Sequence, residues 1–205
     1  MQQQAAAAPP TVFVVDDDQS IRHAMELLMR SVNQRHRVFE TATEFLEFYT
    51  PECVGCLVLD IRMPGLGGLE LQDRLAAMGS TMPIIFVTGY ADVPMAVEAM
   101  QKGAFDFIEK PFRDQELLER ISAALESDGR QRAEQRASQA IGERLGRLTN
   151  REREVLELVV TGKPNKIIAH ELGVSQRTVE IHRARVMEKM EARSLAELVR
   201  MYMEG

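Results

Sequence analysis

Four short apolar runs, each leading to a residue with chemistry to offer, constrain this chain most. Thr11-Val12-Phe13-Val14-Val15 precedes Asp16-Asp17, and Cys56-Leu57-Val58-Leu59 precedes Asp60. Ile84-Ile85-Phe86-Val87 closes on Thr88, and Phe105-Asp106-Phe107-Ile108 leads to Lys110-Pro111. Near-continuous apolar runs suit strands covered on both faces, and open α/β sheets place their sites where such strands end. An acid pair, a lone acid, a hydroxyl and an amine at strand ends together suit the holding of a divalent cation beside an aspartate that accepts a phosphoryl group.

From Thr11 to about Leu125 such runs alternate with amphipathic stretches, the pattern of a parallel sheet with helices on both faces. The spacing predicts strands near 11–16, 36–40, 55–60, 83–88 and 105–109. It predicts helices near 20–31, 42–49, 67–78, 92–102 and 114–126. Five strands and five helices make a small, doubly wound α/β domain spanning 11–126. Residues 127–147 are rich in Arg, Gln, Glu and Ala and lack a β-branched run. They predict a helical linker that can extend the preceding helix and break or bend at Gly129, without a buried core. Ile141 and Leu145 are nearly its only apolar anchors, which leaves a coiled-coil heptad weak.

Four short helices follow across 148–205. Thr149 with Glu152 forms a capping box ahead of Val155, Leu156, Leu158 and Val159. Asn165 can cap 166–172, which Gly173 ends, and Ser175 can cap 176–190. Ser194 with Glu197 opens a last helix. The middle pair, KIIAHELGVSQRTVEIHRARV, has the form of a helix-turn-helix within a small all-α domain.

Charge separates the two parts. Residues 1–126 carry 10 Lys/Arg against 19 Asp/Glu, a net of -9; residues 127–205 carry 15 against 12, a net of +3. An acidic domain joined to a mildly basic one points to nucleic acid as a partner of the second, with modest, salt-sensitive affinity. No apolar run approaches the roughly 18 residues of a membrane span. Residues 1–10, all Gln, Ala and Pro after Met1, read as a disordered leader and not a signal peptide. Two cysteines imply no disulfide framework, so a cytoplasmic protein is expected.

Three carboxylates sharing one crevice repel one another unless a hard cation sits among them. Magnesium, which takes few carboxylates, several waters and a phosphate oxygen, suits Asp16, Asp17 and Asp60. An aspartate is a covalent phosphoryl acceptor in known chemistry. Thr88 and Lys110 would then bind phosphoryl oxygens, one by hydroxyl and one by charge. The bland alternative, five unrelated surface groups, fits poorly with five matched strand-end positions.

The runs VVDDD, LVLDIRMPGLGGLEL and IIFVTGYADVPMAVEAMQKGAFDFIEKPF resemble the receiver domain of two-component response regulators, with its five-stranded flavodoxin-like sheet. The tail LTNREREVLELVVTGKPNKIIAHELGVSQRTVEIHRARVMEKM resembles the LuxR-type DNA-binding domain. Together they are similar to the NarL/FixJ family, its FixJ-like branch above all, from Val12 to Met203. The resemblance implies that Asp60 is the phosphoacceptor, Asp16 and Asp17 place magnesium, and Arg62 lends a backbone carbonyl. It implies that Thr88 and Phe107 are a switch pair, that Lys110 contacts phosphate, and that Lys110-Pro111 is cis. Asp18 stands where the family often has Glu, with little expected of it. Arg62 and Tyr90 flank the path of attacking water, so slow loss of phosphate is expected; plain surface cover is the equal alternative.

Drawing Thr88 towards a phosphoryl group would vacate space for Phe107 and alter the face built by 92–110. Met95, Val97, Met100 and Phe107 on that face suit a symmetric dimer. The alternative is that the first three are core at helical spacing, the reading preferred for Val97 and Met100.

In a helix-turn-helix the second helix enters the major groove. Here Val179, Val186 and Met190 should pack inward. Arg177, Glu180, Ile181 and Ala184 should face DNA, flanked by Arg183 and Arg185, with Lys166 and Thr178 on phosphates. Many family members have Lys where Glu180 stands. A carboxylate there either accepts from cytosine N4 or pairs within the helix with Arg177 or Arg183. His182 reads as structural or phosphate-bonding. Cys53 and Cys56 form a lone CxxC with no second pair, so they read as structural.

The expectation is a transcription factor switched by phosphate. Its partners would be a sensor histidine kinase, an inverted repeat of double-stranded DNA, a second copy when phosphorylated, and RNA polymerase. Rival readings are a metal-dependent phosphohydrolase with Asp60 as nucleophile and a ligand-gated LuxR-type regulator.

Overall fold

A computed structural model of the chain describes residues 9–89 and 93–204. Most of the expected leader, and Tyr90, lie outside the described residues. The chain divides into two compact units, Met1–Gln131 and Arg132–Gly205.

The first unit carries five parallel strands: β1 (Thr11–Val15), β2 (His36–Phe39), β3 (Gly55–Asp60), β4 (Ile84–Thr88) and β5 (Asp106–Glu109), in the order β2-β1-β3-β4-β5. Between them run α1 (Gln19–Ser31), α2 (Ala42–Phe48), α3 (Gly68–Ala77) and α4 (Val93–Gln101), and α5 (Asp114–Gly146) follows β5. Successive strand residues point to opposite faces, and the apolar runs therefore feed two cores. Phe13, Val15, Leu57, Leu59 and Phe86 join Phe45 of α2, Leu71 and Leu75 of α3 and Ala99 of α4 on one face. Val12, Val14, Val58, Ile85 and Val87 join Met25 and Met29 of α1 and Leu117 and Ile121 of α5 on the other. Truncating a fully buried ring such as Phe45 or Phe86 to Ala would cost about 3–5 kcal/mol.

Gly129 does not break the helix: α5 is continuous from Asp114 to Gly146. Nor is 127–147 wholly solvated. Asp128 is buried, its carboxylate accepting from the backbone N–H of Gly55 at 3.0 Å. That bond serves the first residue of β3, from the residue just before the expected break.

The second unit is helical after α5: α6 (Asn150–Val160), α7 (Asn165–Leu172), α8 (Gln176–Lys189) and α9 (Leu195–Glu204). Val155, Leu156, Ile168, Val179, Val186, Met190 and Leu198 fill its core, and Ile141 is buried with them. The Thr149–Glu152 capping box forms, and buried Glu152 also receives Lys189 at 2.6 Å. The Lys189 ammonium and the Thr149 backbone N–H hold the Glu152 carboxyl down at about 2. Asn165 is not a cap. Pro164 holds that position, and the Asn165 amide oxygen accepts from Arg183 at 3.0 Å instead. Gly173 ends α7 in the left-handed region at φ 64°, where a side chain would be strained, and Ser175 caps α8 through the N–H of Thr178.

Candidate functional site

The strand order reverses direction between β1 and β3, and a crevice opens there at the carboxyl ends of the strands. Asp16 and Asp17 follow β1, Asp60 ends β3, Thr88 ends β4 and Lys110 follows β5. Ligand oxygens of Asp16, Asp17 and Asp60 lie within 4.8 Å of one another. Asp16 is 2 % exposed. The Lys110 ammonium donates to Asp16 at 2.9 Å and to Asp60 at 3.3 Å. Gly68 allows the β3–α3 loop to fold back on this strand end, since a Cβ there would lie 2.4 Å from the Asp60 carbonyl oxygen.

The electrostatics follow from this packing. Burial pushes the Asp60 carboxyl above the usual carboxylate range, Lys110 opposes the shift, and Asp16 adds to it. Burial acts to lower the Lys110 amine, but the bonds and charges of Asp16 and Asp60 outweigh it and hold the amine above its ordinary value. The backbone N–H of Arg62 points to Asp60 at 3.5 Å. Asp18, of which little was expected, caps α1: its carboxylate accepts from the N–H and hydroxyl of Ser20, and these bonds lower its pKa.

Thr88 is buried, its hydroxyl donating to the Gly89 carbonyl at 3.2 Å, and the Lys110–Pro111 bond is cis. Phe107 on β5 is 37 % exposed. The core reading of Val97 and Met100 is overturned: both are exposed, at 49 % and 39 %, because α4 turns the small Ala96 and Ala99 to the sheet. Met95 is half-buried and packs on the core.

On α8, Val179 and Val186 are buried, as is Met190 at its C-terminal cap, while Arg177, Glu180, Ile181, Ala184 and Arg185 are exposed. Lys166 is exposed, and Thr178 is half-buried with its hydroxyl 2.8 Å from that of Ser175. Arg183 is held by Asn165, and among the described residues no ion pair joins Glu180 to Arg177 or Arg183. The Nδ1 of His182 is buried with no hydrogen-bond partner among the described residues. Ile167 on α7, not singled out from the sequence, is exposed. Cys56 lies in β3, where burial pushes its thiol up to about 12, as for an inert structural cysteine.

Residues 12–122 match the response regulator receiver domain, and residues 147–202 match the bacterial regulatory proteins of the luxR family. The chain belongs to the two-component response regulators, in the branch that couples a receiver to a LuxR-type DNA-binding domain and regulates transcription. Nodulation protein W of Bradyrhizobium diazoefficiens is 48% identical over 186 residues, covering 91% of this chain and 82% of that protein. The transcriptional regulatory protein FixJ of Azorhizobium caulinodans is 46% identical, covering 91% and 88%. Among solved structures, the response regulator StyR matches with a TM-score of 0.90 at 44% identity, covering 97% of this chain and 100% of that one. Full-length FixJ from B. japonicum matches with a TM-score of 0.60 at 42% identity, covering 95% and 96%. The receiver match occupies the place where a ligand-gated LuxR-type regulator would carry its sensor domain. The family is not one of substrate-processing enzymes, which sets aside the phosphohydrolase reading.

The family implies magnesium at the acidic pocket, and the donor set fits. Three carboxylates whose oxygens lie within 4.8 Å of one another, one of them nearly fully buried, would suit a hard divalent cation that takes few protein oxygens. Among the described residues no helix is long and apolar enough to cross a membrane.

Proposed function

We propose that Asp60 is the phosphoacceptor, loaded by a partner sensor histidine kinase, and that loading drives two copies to pair on an inverted repeat of DNA. The observation that carries this reading is the crevice: three carboxylates within 4.8 Å, with one ammonium bridging Asp16 and Asp60. In the transfer, an Asp60 oxygen bonds to phosphorus as the N–P bond of phosphohistidine breaks. The imidazole nitrogen keeps the electron pair and takes a proton from solvent. In the return step, water bonds to phosphorus, the Asp60–phosphorus bond breaks and phosphate leaves. The protein acts on itself alone.

Asp16, Asp17, Asp60 and the backbone carbonyl of Arg62 would hold Mg2+, which offsets charge on the phosphoryl oxygens. Lys110 reaches those oxygens by charge, and Thr88 by its hydroxyl. Thr88 leaves its bond to Gly89 to do so, and Phe107 moves inward from its exposed position. The surface of Val97, Met100 and Phe107, bordered by Met95, then pairs with its counterpart on a second copy.

The receiver spans 11–126, a helical linker 127–147 and the effector 148–205. On DNA, Lys166, Thr178 and His182 bond phosphates, Arg177, Glu180 and Ile181 meet base edges, and Arg183 and Arg185 flank them. RNA polymerase is the further partner, and the cytoplasm the place of action. Incubation with Mg2+ and acetyl phosphate should add one phosphoryl mass to the wild type and none to Asp60→Asn. Equal modification of both, or of neither, refutes the assignment.

A further inference from the structure

We propose that Gln72 is a positioning residue that pins the C-terminal end of α4, making that end the pivot about which the helix turns when Asp60 is loaded. The proposal rests on the reading of Asp60, Thr88 and the α4–β5 surface given above.

Gln72 lies on α3 and is 4 % exposed. Its Nε2 donates to the Ala99 carbonyl at 3.1 Å. The same oxygen accepts from the N–H of Ala104, just past the helix, at 3.0 Å, so a donor from α3 joins the helix's own C-terminal cap on the last turn of α4. One residue further along α3, Asp73 accepts from Lys102 at 2.8 Å, and Lys102 also reaches Glu98 at 3.1 Å. Neighbouring side chains of α3 thus tie the same end of α4 from the buried and the exposed side. Thr88 lies at the opposite end, five positions before the first residue of the helix. A displacement begun at Thr88 acts on a helix whose far end is held. It becomes a rotation that re-aims Val97 and Met100, where a free helix would shift as a whole.

The Gln72 amide is only half satisfied. No donor among the described residues reaches its Oε1, which is buried. An unmet buried acceptor is costly, and a methionine of similar volume would fill the site without that cost. An orphaned buried acceptor of this kind asks for an account beyond packing. Gln72 also borders a cavity of about 80 Å³ lined by Leu75, Ser80, Met82, Ile84 and Lys102.

Two measurements on the full-length chain test this, with Gln72→Met as the variant and Ile84→Val as a mild packing control at the same cavity. The first is the dimerisation constant by sedimentation, with and without beryllofluoride as the phosphoryl mimic. Gln72→Met should shrink the ratio of the two constants by about fivefold, while Ile84→Val keeps the wild-type ratio. A ratio unchanged in Gln72→Met, or reduced equally in Ile84→Val, overturns the proposal. The second is hydrogen exchange at the Ala104 amide, which reports on the pinned turn whether or not the chain pairs. It should be several-fold faster in Gln72→Met, and unchanged exchange overturns the pin. Faster exchange in a chain whose wild type never responds to beryllofluoride refutes the dimer reading and the pivot with it, leaving only a structural tie.

Discussion

The Lys110 ammonium lies 2.9 Å from the carboxylate of Asp16, an acid only 2 % exposed. On the proposed magnesium site, a cation built into the fold would compete with Mg2+ for the same carboxylate. Lys110→Met should bind Mg2+ more tightly, because the repulsion is gone, yet release beryllofluoride faster, because a charge-assisted bond is lost. Without Mg2+ the variant should lose about 1–3 kcal/mol in urea unfolding, and Mg2+ should restore part of it. Calorimetric titration showing weaker Mg2+ binding would contradict the competition.

Burial holds the Asp60 carboxyl above its ordinary value, against the opposing charge of Lys110. A raised folded value means that the acid favours folding only while protonated. That contribution is complete below about 3.8 and is lost as pH rises through the folded value. With magnesium chelated, Asp60→Asn should therefore melt above the wild type at pH 7, with the gap closing towards pH 4. A variant that melts below the wild type at pH 7 would show that the Lys110 contact outweighs burial.

Glu152 has the opposite sign. Lys189 and the capping box hold its carboxyl at about 2, so its contribution is present above about 4.5 and is lost as pH falls towards 2. Glu152→Gln keeps the cap and loses the charge-assisted bond. It should cost about 1–3 kcal/mol at pH 7 in unfolding of the second unit, with the difference narrowing below pH 4.5. A difference constant from pH 7 to pH 3 would count against this.

On DNA, the exposed side chains should separate by type. Lys166→Ala should weaken binding to all sequences alike and lower the salt slope by about 1, as loss of one phosphate contact does. Arg177→Ala should cost about 1–3 kcal/mol at the operator alone. Glu180→Gln should tighten non-specific binding and relax discrimination. Binding curves against salt and scrambled duplex distinguish the three; a uniform effect of Arg177→Ala would place that residue on the backbone.

What the sequence left readable was what depends on local pattern. The strand runs, the Gly173 stop and the Thr149 and Ser175 caps are all legible because spacing and turn chemistry act within a few residues. Asp60 and Lys110 could be placed in one crevice because a parallel sheet brings its strand ends together. Contacts closed by tertiary packing were hidden. Nothing near Gly129 announces that Asp128 meets Gly55, 73 residues away, and nothing in α3 marks Gln72 as the partner of Ala99. Hydropathy misled on α4, where close approach to the sheet favours Ala96 and Ala99 over the more apolar Val97 and Met100. Asn165 looked like a cap because its type favours that position, but Pro164 starts the helix and frees Asn165 to hold Arg183.

The central claim is that a phosphoryl group on Asp60 changes both subunit pairing and DNA affinity. The direct measurement is molar mass by light scattering, together with operator affinity, for wild type and Asp60→Asn with and without beryllofluoride and Mg2+. Only the loaded wild type should double in mass and bind the operator more tightly. A wild type that stays monomeric with unchanged affinity when loaded, or an Asp60→Asn that responds equally, would contradict the claim.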